Sequence, residues 1–269
     1  MPELPEVETV ARGLDRRLAG DRIEELWLSD KRNLLKSSPR EMARVLSGAR
    51  IVHFRRVGKH IVGDLISHGR PAQWVIHLGM TGRCLVCTPE TEPVKHTHLV
   101  ATMASGRELR FIDPRRFGRL QVLEGADFAA PGAEPIAAGR DAFVELFRHR
   151  KTPIKSALLN QRLLSGIGNI YADESLFRAG VRPRRQAGRL TRAELERLHA
   201  AVQDVLAEAI AAGGSSVSDY VSAEGERGFF QLQHRVYQRT GEPCLVCGTA
   251  IQRVVIAGRS SHYCPKCQK

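Results

Sequence analysis

Apolar residues near the start of the chain recur with the spacing of a helix. They follow the i, i+3, i+4, i+7 pattern of one buried face, formed by Val7, Val10, Ala11, Leu14 and Leu18. Proline suits the first turn of a helix and glycine commonly ends one, and Pro5 and Gly20 stand at those places. The chain is therefore predicted to open with an amphipathic helix.

A different pattern follows between residues 22 and 124. Short apolar runs alternate with clusters of Gly, Pro and Ser, and the clearest runs cover residues 51–57, 74–78, 98–103 and 108–112. Apolar runs of this length, separated by such turn residues, predict short strands of an antiparallel sandwich or barrel. With the opening helix, they predict an N-terminal β-sandwich domain over residues 2–125.

Helical periodicity returns after a stretch rich in Gly, Pro and Ala at 126–140, which we interpret as a linker. The predicted helices cover residues 141–149, 154–164, 169–179 and 192–212. Thr191 and Glu194 have the spacing of a capping box at the start of the last helix. The predicted fold class is α+β, with a helical domain at 141–230 that ends in a Gly- and Ser-rich mobile loop at 213–228.

Charge narrows the class of partner. The 269 residues include 41 Lys and Arg against 29 Asp and Glu, a net charge of +12 that both halves share. Such an excess indicates a polyanion, most often nucleic acid. The sequence has no apolar run of about 18 residues, which a membrane span requires. The first residues lack the apolar core of a signal peptide, so a cytosolic protein is expected.

Four cysteines near the C-terminus have the spacing of a metal site. Cys244-x2-Cys247 precedes Cys264-x2-Cys267, the two-knuckle arrangement of a four-thiolate zinc site. Two disulfides are the alternative, which a reducing cytosol disfavours. Because four thiolates leave no position open for water, we expect one structural Zn²⁺ that folds a finger over residues 235–269.

Cys84 and Cys87 form another CxxC, without a second pair to complete a site. Three positions apart on a predicted strand, they point to opposite faces. Half-buried strand cysteines are therefore favoured over a redox or metal role.

The N-terminus offers distinctive chemistry if Met1 is removed. Pro2 would then present a secondary amine, whose pKa lies well below that of lysine. When such an amine attacks an aldehyde-level carbon, the resulting iminium is an electron sink for elimination, and Glu3 beside it could move protons. Taken alone, Pro2 and Glu3 are also explained as an ordinary helix-opening turn.

Two turns favour contact with DNA. Residues 164–170 carry Gly-x-Gly before a predicted helix, where backbone N–H groups suit a phosphate, and Lys151 and Lys155 lie upstream. A plain helix–turn–helix is the alternative. Residues 113–118 carry two arginines and Phe117, a set that suits a wedge filling the gap left by an extruded base. A hairpin turn with solvated arginines is the alternative there.

Together these motifs resemble one family, the formamidopyrimidine-DNA glycosylases of base-excision repair, over essentially the whole chain. The resemblance is carried by Pro2-Glu-Leu-Pro-Glu-Val-Glu8, Gly58-Lys59, His77-Leu-Gly-Met80, Lys95-His-Thr-His98, Asp113-Pro-Arg-Arg-Phe-Gly118, Gly168-Asn-Ile-Tyr-Ala172 and the cysteine finger. It implies an N-terminal β-sandwich that carries the first helix, then a helix-two-turn-helix domain and the zinc finger.

The resemblance also implies catalytic roles. Pro2 would attack C1′ of the damaged nucleotide, displace the base and form a Schiff base, with β- and then δ-elimination following. Glu3 would act as acid or base at the sugar, and Glu6 would assist. Lys59 would lie near the lesion phosphate. Arg259 on the finger would clamp that phosphate and help the later elimination.

Further matched positions concern DNA binding. The implied DNA contacts are His96, Arg115, Lys151, Lys155, Asn169 and Tyr171. The implied void-filling wedge consists of Met80, Arg115 and Phe117. The loop 213–228 would close over the flipped base. The expected partner is damaged double-stranded DNA, bound by a monomer in the bacterial cytosol or nucleoid, without membrane association.

Two other functions fit part of the sequence. Endonuclease VIII-like relatives, which favour oxidised pyrimidines, typically carry Gly where this chain has Leu4, and they lack this wedge set. Oxidised purines are therefore the favoured substrates. A non-catalytic zinc-finger DNA-binding protein would explain the charge and the finger, but not Pro2, Glu3 and Lys59 together.

Overall fold

The computed structural model describes residues 1–216 and 220–269, apart from the side chain of Arg32. The chain forms two compact units. The first consists of Met1–Ala129 with Ala212–Phe229, and the second of Ala130–Ala211 with Phe230–Lys269. In the described part of the chain, no helix is long and apolar enough to cross a membrane.

The first unit opens with helix α1, Leu4–Leu18, as predicted. The predicted stripe is its buried face, since Val7, Val10 and Leu14 are at most 1% exposed. The Glu6 carboxylate accepts the backbone N–H of Glu3 at 2.8 Å, which satisfies a donor that the first turn of a helix leaves unpaired. Sequence periodicity and local capping therefore agree on where this helix begins.

Two four-stranded antiparallel sheets make up most of the first unit, in the orders β1-β6-β7-β5 and β2-β3-β4-β8. The strands are β1 (Ile23–Leu28), β2 (Arg50–Val57), β3 (His60–Ser67), β4 (Arg70–His77), β5 (Arg83–Cys87), β6 (Thr97–Met103), β7 (Glu108–Ile112) and β8 (Arg119–Glu124). Trp74 on β4, Phe111 on β7 and Leu14 on α1 belong to one buried cluster. The N-terminal antiparallel sandwich predicted from the sequence is confirmed.

One helix of this unit was not predicted. Helix α2 covers Pro39–Leu46, inside the stretch assigned to strands alone. Ser38 caps it by accepting the Glu41 N–H at 3.2 Å, and Glu41 accepts the Ser38 N–H at 3.1 Å. Ser-Pro-x-Glu is a recognisable capping box, so the signal for this helix was present in the sequence.

The second unit is helical, with a terminal hairpin. Its α-helices and strands are α3 (Arg140–Phe147), α4 (Ile154–Leu158), α5 (Asn169–Ala179), α6 (Arg192–Ala211), β9 (Gln252–Ile256) and β10 (Arg259–Tyr263). Three 3-10 turns, at Arg32–Leu34, Ala187–Arg189 and Phe230–Gln233, complete the described helical elements of the chain.

The predicted helix 154–164 is too long, because α4 ends at Leu158. Asn160 gives the physical reason. Its side-chain oxygen accepts the Arg162 N–H at 3.0 Å and its carbonyl accepts the Leu163 N–H at 2.8 Å, which forms a turn in place of another helical turn. By contrast, α5 ends at Gly180 in the left-handed conformation, with φ 71°, as predicted.

The segment 212–229 groups with the first unit, although it follows α6 in the chain. The Ser215 N–H donates to Glu6 at 2.7 Å, and the Val86 N–H on β5 donates to the Ala223 carbonyl at 3.0 Å. A Cβ on Gly13 of α1 would lie 2.9 Å from the Ala223 side chain, so the two backbones approach closely there. Residues 217–219 of the predicted mobile loop lie outside the described residues.

Candidate functional site

The N-terminal residues are held by the carboxylate of Glu6. Its two oxygens accept the backbone N–H of Glu3 at 2.8 Å and that of Ser215 at 2.7 Å. Pro2 is buried, Glu3 is 4% exposed and Glu6 is 2% exposed, whereas Met1 is 44% exposed. Glu6 therefore fixes the backbone beside Pro2 and Glu3, and removal of Met1 would free the Pro2 nitrogen.

Lys59 lies in the tight turn between β2 and β3 and is half-buried. Gly58 before it has φ 60°, a conformation that glycine adopts without strain. The Arg56 guanidinium donates to the Gly58 carbonyl at 3.2 Å and to Glu8 of α1 at 2.8 Å. This ion pair connects the opening helix with the lysine turn, so both predicted catalytic segments belong to one packed region of the first unit.

His77 and His60 lie beside Lys59, with ring centroids 4.8 Å apart. Burial, followed by the charges of His60 and Lys59, lowers the pKa of His77 to about 4. The His77 Nδ1 atom accepts the N–H of Gly79 at 3.1 Å. His77 is therefore a neutral acceptor at physiological pH, and it holds the turn that carries Met80.

The predicted wedge residues lie on two turns of the first unit. Met80 is 39% exposed and Phe117 is 46% exposed, unusual values for large apolar side chains. The guanidinium carbon of Arg115 lies 4.8 Å from the centroid of the Phe117 ring, a cation–π contact. A Cβ on Gly79 would lie 2.5 Å from the backbone of Phe117, so the two turns pack backbone to backbone.

In the second unit, the Gly-x-Gly turn leads directly into α5. Gln161 braces this turn, because its amide accepts the Gly166 N–H at 2.9 Å and donates to the Ile167 carbonyl at 2.8 Å. Asn169 is the first residue of the helix. The helix start is therefore held with its backbone N–H groups in place, a geometry that suits a phosphate.

The lysines predicted upstream of this turn differ in placement. Lys151 is exposed, whereas Lys155 has no exposed surface. The Lys155 ammonium donates to Asp173 of α5 at 2.6 Å and to the Ser260 carbonyl of β10 at 2.5 Å. Tyr171, another predicted DNA contact, is also fully buried. These two side chains offer no surface to DNA in this structure.

Sequence reasoning did not single out Asp173 and Glu174, two consecutive buried acids of α5. Asp173 accepts the His262 N–H at 2.9 Å and lies 3.0 Å from His262 Nδ1. Glu174 accepts three successive backbone N–H groups, those of residues 235–237, at 2.8–3.0 Å. Burial raises the pKa of Glu174 above its ordinary value. Together the two acids attach the C-terminal finger to α5.

The four predicted zinc ligands converge. The Sγ atoms of Cys244, Cys247, Cys264 and Cys267 all lie within 4.8 Å of one another. The Cys244–Cys267 and Cys247–Cys264 pairs are separated by 3.9 and 3.5 Å. Tetrahedral thiolates at the usual Zn–S distance lie about 3.8 Å apart, so the residues fit Zn²⁺.

Arg259, the predicted phosphate clamp, begins β10 directly after a two-residue turn. Ala257 and Gly258 in that turn both have positive φ, of 46° and 74°, the geometry of a tight hairpin. Arg259 is exposed. The next residue, Ser260, is the one that Lys155 holds through its carbonyl.

Other predicted residues are placed as follows. His96 is exposed, with φ 68°. Both cysteines lie on β5 as predicted, but only Cys87 is half-buried, since Cys84 is fully buried. Burial raises the pKa of the Cys84 thiol to about 12, which makes it an inert core residue.

The fold and the site define a class of protein. It is a basic zinc-finger protein of two units, in which turns expose arginine and apolar side chains and a proline near the N-terminus lies next to a glutamate. Family models match in the same order. They are the formamidopyrimidine-DNA glycosylase N-terminal domain at 1–120, the H2TH domain of the same enzymes at 130–221, and a zinc finger found in FPG and IleRS at 241–269.

Full-length relatives and solved structures agree. Formamidopyrimidine-DNA glycosylases of Solibacter usitatus and Desulfitobacterium hafniense are 48% and 44% identical over the whole of both chains. The crystal structure of MutM (Fpg) from Thermus thermophilus has a TM-score of 0.87 at 39% identity, covering 99% of this chain and 98% of that one. Lactococcus lactis Fpg bound to abasic-site DNA has a TM-score of 0.89 at 32% identity, covering 99% of each.

The chain belongs to the formamidopyrimidine-DNA glycosylase family. It is thus a DNA-repair glycosylase, and its finger holds one structural zinc ion.

Proposed function

We propose that the protein excises oxidised purines, namely 8-oxoguanine and formamidopyrimidines, from duplex DNA and then cleaves the strand at the abasic site. The observation that carries the proposal is the N-terminus, where Pro2 and the buried acid Glu3 are fixed by Glu6. A secondary amine beside a carboxylate suits chemistry at an aldehyde-level carbon. The Lactococcus lactis relative binds DNA with an N7-benzyl-Fapy-dG lesion, which supports the purine assignment for its family.

In the proposed reaction, the Pro2 nitrogen attacks C1′ and the bond from C1′ to the base breaks. The base leaves with a proton, and the opened sugar forms an iminium with Pro2. Loss of a C2′ proton expels the 3′ phosphate, and a second elimination expels the 5′ phosphate. Hydrolysis of the iminium then frees Pro2, and a gap with phosphates at both ends remains. Glu3 is the acid and base at the sugar.

Lys59 and Arg259 handle the phosphate in this proposal. Lys59, on the turn that Arg56 joins to α1, donates to the phosphate at the lesion. Arg259, exposed at the start of the finger hairpin, clamps the phosphate and assists the second elimination. Zinc stabilises the finger when bound, and its closed set of four thiolates takes no part in the chemistry.

DNA binding is proposed to use groups of each unit that are exposed or, for Asn169, half-buried. His96 and Arg115 in the first unit, and Lys151 and Asn169 in the second, contact the backbone of damaged double-stranded DNA. Met80, Arg115 and Phe117 fill the void that the flipped base leaves. Lys155 and Tyr171 are instead proposed to support this surface from within. The protein is proposed to work as a monomer in the bacterial cytosol.

Oxidised pyrimidines are the second candidate substrates, because the Lactococcus lactis relative has also been solved with an oxidised pyrimidine in its DNA. Leu4 argues against them as the main substrates. Its side chain is fully buried at the start of α1. The resemblance described above implies that pyrimidine-preferring relatives typically carry glycine at this position.

A substrate panel tests the proposal. Duplexes carrying 8-oxoguanine, formamidopyrimidine or an oxidised pyrimidine, and an undamaged duplex, are compared in single-turnover assays. We expect the oxidised purines to react at least about tenfold faster than the pyrimidine, a ratio that pocket contacts readily provide. Product ends distinguish β,δ-elimination, with phosphates on both sides, from β-elimination alone. Faster pyrimidine excision would reverse the assignment, and intact strands after base release would refute the lyase activity.

A further inference from the structure

One buried carboxylate lies behind the predicted wedge. Asp113 directly follows β7 and has no exposed surface. Burying a carboxylate is costly unless hydrogen bonds replace its water. This buried carboxylate lies at the start of the turn that carries Arg115 and Phe117, which indicates a specific structural role for it there.

The Asp113 side chain bonds both wedge turns. Its Oδ1 accepts the Thr81 hydroxyl at 2.6 Å and the Arg115 N–H at 3.3 Å. Its Oδ2 accepts the Gly118 N–H at 2.7 Å. Thr81 is the residue after Met80, and Arg115 and Gly118 enclose Phe117. One carboxylate therefore spans the two turns that present the three wedge side chains.

The Asp113 backbone holds a third DNA-facing segment. Its N–H donates to the His96 carbonyl at 3.0 Å, and its carbonyl lies 3.1 Å from His98 Nε2. His96 has φ 68°, and Arg116 in the wedge turn has φ 57°. Left-handed conformations are uncommon for residues other than glycine, and they persist where surrounding bonds over-determine them. Asp113 supplies bonds at both places.

The turns also leave little room for another arrangement. A Cβ on Gly118 would lie 2.5 Å from the Phe111 ring and 3.1 Å from Asp113 Oδ2. The close packing of Gly79 on the Phe117 backbone excludes a side chain there as well. The two turns are therefore packed directly against each other, with Asp113 hydrogen-bonded to both.

We propose that Asp113 is the positioning residue that sets the wedge before DNA is bound. The proposal rests on the wedge role given above to Met80, Arg115 and Phe117. Asp113 does not touch DNA. It acts through Thr81, Arg115 and Gly118, and it keeps Phe117 and the Arg115 guanidinium exposed in one arrangement, so that duplex opening does not also have to order these turns.

Asp113→Asn is the sharpest test, because the side chain keeps its size while one acceptor oxygen becomes an NH₂ donor. The amide oxygen can then accept the Arg115 N–H or the Gly118 N–H but not both, so in either orientation the new NH₂ faces a backbone N–H donor. Cleavage is compared on damaged duplex and on a single-stranded abasic site, where no stacked partner has to be replaced. We expect the duplex-to-single-strand rate ratio to fall about tenfold, the effect of losing one buried hydrogen bond and leaving its donor unpaired.

Asp21→Asn is the matched control. Asp21 also accepts backbone N–H groups, from Arg22 and Ser105, and a hydroxyl, from Ser105, and none of these described partners is a predicted site residue. Its substitution should leave the rate ratio at the wild-type value. A ratio that Asp113→Asn leaves unchanged, or an equal loss on both substrates together with a lower melting temperature, would overturn the proposal and make Asp113 merely structural.

Phe117→Ala separates this proposal from the function it rests on. If Phe117→Ala alone leaves the ratio unchanged, the wedge assignment itself is wrong. If Phe117→Ala lowers the ratio and Asp113→Asn does not, only the role of Asp113 is wrong. We expect both single variants to lower it and the double variant to add little further loss, since both act on one step.

A second readout follows insertion of the wedge directly. With 2-aminopurine opposite the lesion, fluorescence rises when the probe loses its stacking partner. At saturating protein we expect a smaller rise for Asp113→Asn than for the wild type. A full rise with the variant would show that the wedge inserts normally without the carboxylate, and would contradict the proposal.

Discussion

Replacing Lys155 with methionine should destabilise the second unit without removing a DNA contact. Methionine keeps most of the apolar stem and loses the ammonium that joins Asp173 to the Ser260 carbonyl. The two side chains of the ion pair are 1% and 0% exposed. Among the described residues, His262 would then be the one remaining hydrogen-bond partner of the buried Asp173 carboxylate.

The expected loss is about 3–5 kcal/mol of unfolding free energy, the range for removing one partner of a buried ion pair. Arg148→Met is the control, because the Arg148–Glu145 pair is 2.9 Å long but mostly exposed. A surface pair of that kind contributes less than about 1 kcal/mol. Comparing the two variants shows how much of the loss in unfolding free energy comes from burial of the ion pair and how much from removal of a positive charge.

Two optical probes weight the units differently during urea unfolding. Both tryptophans, Trp27 and Trp74, belong to the first unit, whereas most of the helical residues, those of α3–α6, belong to the second. For Lys155→Met we expect the far-ultraviolet circular dichroism midpoint to fall and the tryptophan fluorescence midpoint to stay near that of the wild type. A loss below about 1 kcal/mol would refute the reasoning from burial.

Salt dependence decides whether Lys155 also contacts a phosphate. A lost phosphate contact lowers the slope of log affinity against log salt by about 0.9. We expect that decrease for Lys151→Met, since Lys151 is exposed. Lys155→Met should leave the slope unchanged. The same decrease for both lysines would restore Lys155 as a DNA contact and contradict its buried placement.

Three further predictions concern metal, pH and backbone geometry. Chelation of zinc should unfold the region after about residue 235, seen as a loss of circular dichroism and of DNA binding, while tryptophan fluorescence keeps its folded value; finding no zinc in freshly purified protein would contradict this. The folded pKa of His77 is about 4, below its ordinary value of 6.5, so its contribution to stability is complete above pH 6.5 and is lost as pH falls toward 4. By pH 4.5 this loss should reach about 2–3 kcal/mol, and His77→Gln should remove that part of the pH dependence measured by urea unfolding. Gly79→Ala should cost at least about 2 kcal/mol, since φ is 65° and a Cβ would meet the Phe117 backbone at 2.5 Å. Gly106→Ala, with φ 83° and open space around it, should cost only about 1 kcal/mol, and equal losses would contradict the packing argument.

Features with local physical causes could be predicted from the sequence. Helices α1 and α6 have an apolar stripe with capping residues close by, and α5 is bounded by glycines at both ends; each of the three is present. The cysteine spacing likewise predicts the finger, because each Cys-x2-Cys pair is itself a local turn. Helix α2 was missed although its Ser38–Glu41 capping box was visible, because only two turns of helix interrupt a long run of strands.

Features that depend on distant partners could not be predicted. Glu6 bonds Ser215, 209 positions away, and no local pattern assigns the segment 212–229 to the first unit. Lys155 illustrates the same limit. A lysine near a Gly-x-Gly turn favours a phosphate contact, and only the fold brings Asp173 and Ser260 to it. The sequence places Asp113 in a turn, and only the structure shows its hydrogen bond to Thr81.

The most direct test of the central claim is borohydride trapping on damaged duplex DNA, followed by peptide mapping of the cross-link. Borohydride reduces an iminium to a stable amine, so the trapped residue identifies the nucleophile. With Met1 removed, we predict a single adduct on Pro2, and a much lower yield of adduct from Pro2→Gly protein that retains its zinc and its unfolding midpoint. An adduct on Lys59, or base release without any trapped species, would contradict the account.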